Sequence, residues 1–292
     1  MIKLKIIHLS NEDIRNLNRL ILDVNILNTE SNLFLYQYRN KQYVLKEMFP
    51  EEKNKFDNKM RTLLSVDSNT DIIPAFFIKP KFLVSSDYSI KYWSSDFING
   101  FNLNSVLNDN RLSLEIKKKY LKRVGLILKQ MDYIRKNTYL NDFYIGDLNE
   151  NNFIVDRNDK ILVCDVDSIK IDGNKSSVSK YLSPFSLLNK SGVQKYKIDN
   201  TEGRIGDFVI DKNTDLYCYV IIVLNFLYGG NINNISIDDF YRFLNYLDDI
   251  KVDNYLIEIF NRIILEEDNV NPCYYIDSLT DNQIVKARCR KI

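Results

Sequence analysis

Hydrophobic and polar positions along the chain follow two different periods. The first third reads as strands. Leu33 to Tyr38 (LFLYQY) and Gln42 to Phe49 (QYVLKEMF) are apolar-rich runs on either side of the polar triplet Arg39-Asn40-Lys41, which predicts a hairpin. Two further runs, Ile78 to Ser86 and Tyr88 to Ser95, flank a turn at Asp87 and predict a second one. Between the hairpins the period changes to helical. Pro50, Glu51 and Glu52 are helix-start signals, and Phe56, Met60, Leu63 and Leu64 fall on one face of the helix that follows.

At Asp96 the texture changes. The stretch DFINGFNLNSVL carries Gly100, isolated from other glycines on both sides. Beyond it the pattern is mainly helical. Ser113 is a cap for a helix with Ile116, Tyr120, Val124, Ile127, Leu128 and Met131 at helical spacing. More helices are expected near 214–228, 236–248 and 253–266. The pattern therefore predicts an α+β chain: a small β-rich lobe over 1–95 that includes a short N-terminal extension, a hinge at 96–99, and a larger, mainly helical lobe over 100–292. No internal repeat and no Pro- or Gly-rich linker interrupts it.

Composition narrows the function classes. Lys and Arg total 40 against 39 acids, a net charge of +1, so no global field draws in nucleic acid or an anionic membrane. The 19 tyrosines and 16 phenylalanines sit at core spacing and not in basic stripes, and the basic tail Lys286 to Lys291 is short; no nucleic-acid partner is expected. The longest apolar run, Leu216 to Tyr228, is too short for a membrane span and predicts a buried helix. The N-terminal apolar stretch is too short and too charged for a secretory signal. Cys164, Cys218, Cys273 and Cys289 form no C-x-x-C pair, so reduced thiols and a cytoplasmic location are expected, without a zinc site. His8 is the only histidine and lies on an expected strand, which argues against Ser-His-Asp and His-metal chemistry.

The candidate chemistry is concentrated in Tyr144 to Ser168, YIGDLNENNFIVDRNDKILVCDVDS. Two short apolar runs joined by Arg157-Asn158-Asp159-Lys160 would bring Asn152 and Asp165 side by side. Phosphoryl transfer needs a divalent cation on the phosphates, a group that positions the acceptor, and a fixed cation on the nucleotide. Magnesium prefers oxygen donors such as carboxylates and amide carbonyls, so Asn152 and Asp165 suit it. The plain structural alternative is a pair of Asp- and Asn-rich turns flanking a hairpin.

The spacing of Asp147, Asn152 and Asp165 resembles that of the protein kinase superfamily, and its GD-x-N-x-x-N…D-x-D-S form is most similar to divergent bacterial eukaryotic-like Ser/Thr kinases. Ile145 to Asn152 stands at the family's H-R-D-x-x-x-x-N loop, and Asp165-Val166-Asp167 at its D-F-G. Tyr43-Val44-Leu45-Lys46 resembles V-A-I-K, Asp96-Phe97-Ile98 the hinge, Tyr181 to Phe185 the end of an activation segment, and Thr214-Asp215-Leu216-Tyr217 the start of the buried helix that follows it. The resemblance covers roughly residues 20 to 280. It implies a bilobal kinase-like fold and ATP with Mg2+ or Mn2+ as cofactors. It implies Asp147 as base and positioner, Lys46 on the phosphates, and Asp96, Phe97 and Ile98 beside the adenine. Asn152 and Asp165 would be metal ligands. Asp167 is either a further metal ligand or a turn cap. Asp215 would brace the loop. Ser176, Ser177 and Ser179 stand where activating phosphorylation occurs in the family, or simply in a polar loop.

The chain departs from the family at several points. Asn25 to Asn32 contains no glycine where the family has a glycine-rich loop, and Glu30 there would repel phosphate. Lys59 stands where a helix glutamate pairs with the strand lysine, and no alternative among Glu52 and Asp57 is in register. Asn149 replaces a lysine that contacts the γ-phosphate. Ile145 and Val166 replace a His and a Phe but stay apolar. Phe185 replaces the glutamate of A-P-E, and its arginine partner is also missing near Asn271-Pro272. Three functions follow as expectations: a protein kinase acting on a Ser or Thr hydroxyl of a protein substrate, a small-molecule phosphotransferase of the aminoglycoside or choline kinase type, or a pseudokinase that regulates or scaffolds partners.

Overall fold

A computed structural model describes residues 4–19, 31–174, 179–182, 186–190, 198–199, 204–205, 210–264 and 270–290. Its first third forms a mixed six-stranded sheet from β1 (Lys5–His8), β2 (Asn18–Arg19), β3 (Leu33–Tyr38), β4 (Lys41–Glu47), β5 (Pro80–Ser86) and β6 (Ser89–Asp96). The strand order is β1-β5-β6-β4-β3-β2, antiparallel except for the β1–β5 edge pair. Both expected hairpins form. Arg39 and Asn40 have φ of 48° and 61°, and Asp87 and Tyr88 have 48° and 63°. Positive φ at both central residues is the turn geometry whose twist matches that of paired strands.

Alternation gives the sheet two buried faces. One carries Leu45, Phe82, Val84 and Tyr92 and is covered by Leu9 and by Ile14 of the short helix α1 (Asn11–Arg15). The other carries Leu83 and Trp93 against α2 (Lys53–Ser68) through Leu63 and Val66. Lys46 stands opposite Trp93 in the β4–β6 register and one residue from Leu45, so its side chain leaves from the α2 side. The fully buried stripe of α2 is Lys59, Thr62, Leu63 and Val66, whereas Phe56, Met60 and Leu64 are only half-buried. The helix is therefore rotated from its apolar stripe toward Lys59, because a carboxylate waits there for the ammonium.

The remainder is mainly helical. β7 (Gly100–Asn102) leads into α3 (Leu103–Asn108) and α4 (Leu114–Asn137), and β7 pairs with the hairpin β8 (Phe153–Asp156) and β9 (Ile161–Val163). A Cβ on Gly100 would lie 2.3 Å from the Val155 carbonyl, so only glycine lets β7 approach β8. Ser113 caps α4 as expected, accepting from the Ile116 N–H at 3.3 Å. The α4 face differs by one position from its apolar pattern: Ile116 lies at the exposed edge and Lys117 is buried.

After α5 (Leu187–Lys190) and the short pair β10 (Ile198–Asp199) and β11 (Arg204–Ile205) comes α6 (Lys212–Tyr228), capped by Asp211 and closed by Gly229 in the left-handed conformation. It is buried on nearly every side, as its unbroken apolar run requires. α7 (Ile237–Asp249), α8 (Asn254–Ile264) and α9 (Asp281–Cys289) pack around it. Gly125 lets α4 reach this core. A Cβ there would meet Cys273 at 2.4 Å and the Tyr219 hydroxyl at 2.7 Å. One contiguous core runs from α9 to the α2 face of the sheet.

Candidate functional site

The loop that carries Asp147 is shaped from beneath. Asp215, in the first turn of α6 and fully buried, accepts from the N–H groups of Ile145 and Gly146, both at 2.9 Å. Burial drives its carboxyl up to about 6, against the pull of these two N–H dipoles. This is the contact through which Asp215 would brace the loop. Gly146 has φ 75°, and the Asp147 N–H turns back to the Ile145 carbonyl at 2.9 Å.

Side chains fix the rest of the loop. Asn152 donates from Nδ2 to the Asp147 carbonyl at 2.7 Å, and Asn149 donates to the Asp147 carboxylate at 2.9 Å. Asn149 thus holds Asp147 with a neutral amide, where the family resemblance implied a lysine for the phosphate. The β8–β9 hairpin brings Asn152 and Asp165 together as expected: the Cys164 N–H donates to the Asn152 carbonyl at 3.0 Å, one residue before Asp165. Ile145 and Val166 are both buried in the main core.

Asp165 turns the chain. It has φ 64° and ψ 40°, a conformation that Asp tolerates better than most residues. Its carbonyl accepts from the N–H and hydroxyl of Ser168 at 3.0 and 2.7 Å, closing the 3-10 turn Val166–Ser168. Its carboxylate is ion-paired with Lys46, which also pairs with Asp167 at 2.8 Å. Lys59 of α2 reaches the second Asp167 oxygen at 3.5 Å. Burial pushes the Asp165 carboxyl up, but the Lys46 ammonium outweighs it by charge and hydrogen bond and holds it at about 2. On Lys46 burial acts downward, and Asp165 and Asp167 together raise it well above the ordinary lysine range.

The donors fit a hard divalent cation only in part. Asn152 and Asp165 offer an amide oxygen and a carboxylate, whereas no group of three or more His, Cys, Asp or Glu side chains that could hold a metal ion occurs among the described residues. An ion here would draw its remaining ligands from phosphate and water, as magnesium commonly does.

The Asp96 carboxylate is paired with Lys41 at 2.6 Å and Lys81 at 3.2 Å, and the Phe97 N–H is spent on the Gln42 carbonyl at 3.3 Å. In the stretch expected as the hinge, both residues are thus engaged by the sheet.

The segment after the site is tied back to the loop. Ser179 donates to the Leu148 carbonyl at 2.9 Å and is 1% exposed, and Tyr181 donates to Glu150. Ser179 is therefore a buried tether and not an accessible phosphorylation site. Ser176, Ser177, Ser183 to Phe185 and the glycine-free stretch 25–30 with Glu30 lie outside the described residues. A cavity of about 320 Å³ opens beside this tether, lined in part by Asn104, Asn108, Glu150, Lys180, Tyr181 and Asn225. Burial pushes the Cys164 thiol up to about 12, which keeps it protonated and excludes it as a nucleophile. Among the described residues no helix is long and apolar enough to cross a membrane.

Sequence reasoning singled out Lys46, Asp147, Asn152, Asp165 and Asp215 and placed Lys59 where a helix carboxylate was expected, but it foresaw neither the Lys59–Asp167 pair nor the Tyr181–Glu150 bond. The signal for Lys59 was available: a lysine in the middle of an apolar helix stripe has to be paired. Compared with known proteins, the sequence matches no family model and no curated protein.

Proposed function

We propose that the chain is an ATP-dependent protein kinase that transfers a γ-phosphoryl group to a Ser or Thr hydroxyl with help from a divalent cation. In this reading the sheet of residues 5–96 is the small lobe of a kinase-like fold, 96–99 the hinge, and the helical remainder the large lobe. The observation that carries it is the Lys46–Asp165 ion pair. It joins a sheet strand to a hairpin turn 119 residues later in the chain, beside a loop whose Asp147 and Asn152 are already oriented.

Each residue then has a task. Lys46 grips the nucleotide phosphates as a fixed ammonium. Asp147, held by Asn149, orients the acceptor hydroxyl and takes its proton. Asn152 and Asp165 would hold Mg2+ or Mn2+, which when bound screens the phosphate charge. Asp215 keeps the loop in shape through two backbone N–H groups.

The test is ATP turnover with Mg2+ and with Mn2+, comparing the wild type with Asp147→Ala and Asp165→Ala. The expected result is phosphorylated protein in the wild type, reduced about a hundredfold or more in both variants. Nucleotide binding without transfer under either metal points instead to the regulatory pseudokinase. The cavity beside Glu150 favours one further alternative, a small hydroxylated metabolite as acceptor. Phosphorylation of a metabolite with none on protein would establish it.

A further inference from the structure

Two lysines and two aspartates meet at the turn after β9, but the aspartates are placed differently. The Asp165 side chain is 24% exposed and the Asp167 side chain 1%. The two Asp167 oxygens face two ammoniums on different elements: Oδ1 lies 2.8 Å from Lys46 on β4, and Oδ2 lies 3.5 Å from Lys59 on α2. Both carboxylate partners of Lys46 come from this one turn, and neither comes from α2.

We propose that Asp167 is a positioning residue, not a metal ligand: it holds Lys46 on one side and ties α2 to the site through Lys59 on the other. This rests on the kinase reading and assigns the residue left open by it. A hydrated cation needs a carboxylate with an open side, which Asp165 has and Asp167 lacks. If Asp165 held a cation, Lys46 would lose one of its two counter-charges, and Asp167 would keep the ammonium in place. Removing Asp167 takes one carboxylate away from two neighbouring ammoniums and removes a tie between α2 and the turn.

The test compares Asp167→Asn with Asp165→Asn in the full chain. Accessibility of the two lysines is read by acetylation with an N-hydroxysuccinimide ester and peptide mass spectrometry, which needs no nucleotide. Asp167→Asn is expected to raise acetylation of both Lys46 and Lys59. It should weaken ATP binding about tenfold with or without metal, the worth of one charge-assisted contact. Mn2+ affinity of the nucleotide complex, followed by electron paramagnetic resonance, should stay as in the wild type. Asp165→Asn should do the reverse and lose the metal. The proposal is overturned if Asp167→Asn leaves Lys46 acetylation unchanged, or if it weakens Mn2+ binding as much as Asp165→Asn does. A wild type that binds no ATP under any metal sinks the kinase reading, while the acetylation result still decides whether Asp167 holds the lysines. If Asp167→Asn does not fold, Lys59→Met carries the decision: amide exchange along α2 should rise with Lys46 still protected, and unchanged exchange counts against the tie.

Discussion

Asp165 and Asp215 are both carboxylates beneath the same candidate site, yet they are held in opposite ways. Asp165 is held by an ammonium, which keeps its carboxyl at about 2. Asp215 is held by two backbone N–H groups, and burial lifts its carboxyl to about 6. A full opposite charge outweighs the cost of burial, and two dipoles do not. The region around Asp165 is thus an ion cluster whose parts depend on one another. The region around Asp215 holds one costly buried charge mainly through backbone dipoles, with Arg135 and Asp211 acting on it in opposite directions. The two should respond differently to substitution and to pH.

The largest effect is expected from Lys46→Met. It removes the shared partner of Asp165 and Asp167 and leaves the two carboxylates with Lys59 alone. Breaking a buried ion pair from one side typically costs about 3–5 kcal/mol, and the partial exposure of Asp165 places this variant near the lower bound. Urea unfolding at neutral pH should show a loss of about 3 kcal/mol with an unchanged m-value. A stability close to wild type would mean that the cluster relaxes into solvent and that the contrast with Asp215 is overstated.

The pH dependence separates the two regions by sign. The folded carboxyl of Asp215, at about 6, lies above its reference value of 3.8, so the folded protein binds the extra proton between these values. Its contribution is fully present below pH 4 and is lost as pH rises to 6, about 3 kcal/mol in all at about 1.4 kcal/mol per unit. Asp165 runs the other way: its folded value of about 2 lies below 3.8, so its contribution is present above pH 4 and fades as pH falls toward 2. The check is the difference in unfolding free energy between wild type and Asp215→Asn from pH 4 to 7. Wild type should lose its advantage across this window, because the amide does not titrate. A flat difference would mean that Asp215 is not charged at a cost, and the comparison would fail on that side.

The sequence made one of these regions easier to read than the other. The spacing of Asp147, Asn152 and Asp165 is local, within a hairpin whose turn residues are explicit, and the β8–β9 register follows from it. Lys46 was singled out only through the resemblance of Tyr43 to Lys46 to a strand-lysine motif, and alternation along β4 places it on the face opposite Leu45. What was hidden was the partner choice across elements. Lys59 stood where a helix carboxylate was expected, and only the docking of α2 on the Val166–Ser168 turn shows why the helix rotates to bury it. The partners of Asp96 and Phe97 were hidden for the same reason. Their commitments to Lys41, Lys81 and Gln42 are set by the β4–β6 register, which no local pattern reveals. The α4 face was off by one residue because Ile116 and Lys117 sit at the stripe's edge, where aliphatic content alone does not decide burial.

The smallest effect sharpens the Asp215 side of the comparison. Ser179 donates to the Leu148 carbonyl at 2.9 Å and accepts from the Tyr181 N–H at 3.3 Å, so it ties residues 179–182 to the loop that carries Asp147 without using any charge. Ser179→Ala leaves both buried backbone groups without that partner, at an expected cost of about 1 kcal/mol. Tyr181 still holds Glu150, so the segment should stay docked and the loss should appear in the urea midpoint with no change in m-value. Because no titrating group is removed, the loss should be the same at pH 5 and pH 8, whereas the Asp215→Asn difference should change over part of that range. A Ser179→Ala cost that varies with pH would show that the tether is coupled to the buried charge of Asp215, and the tether would then have to be treated as one electrostatic unit with it.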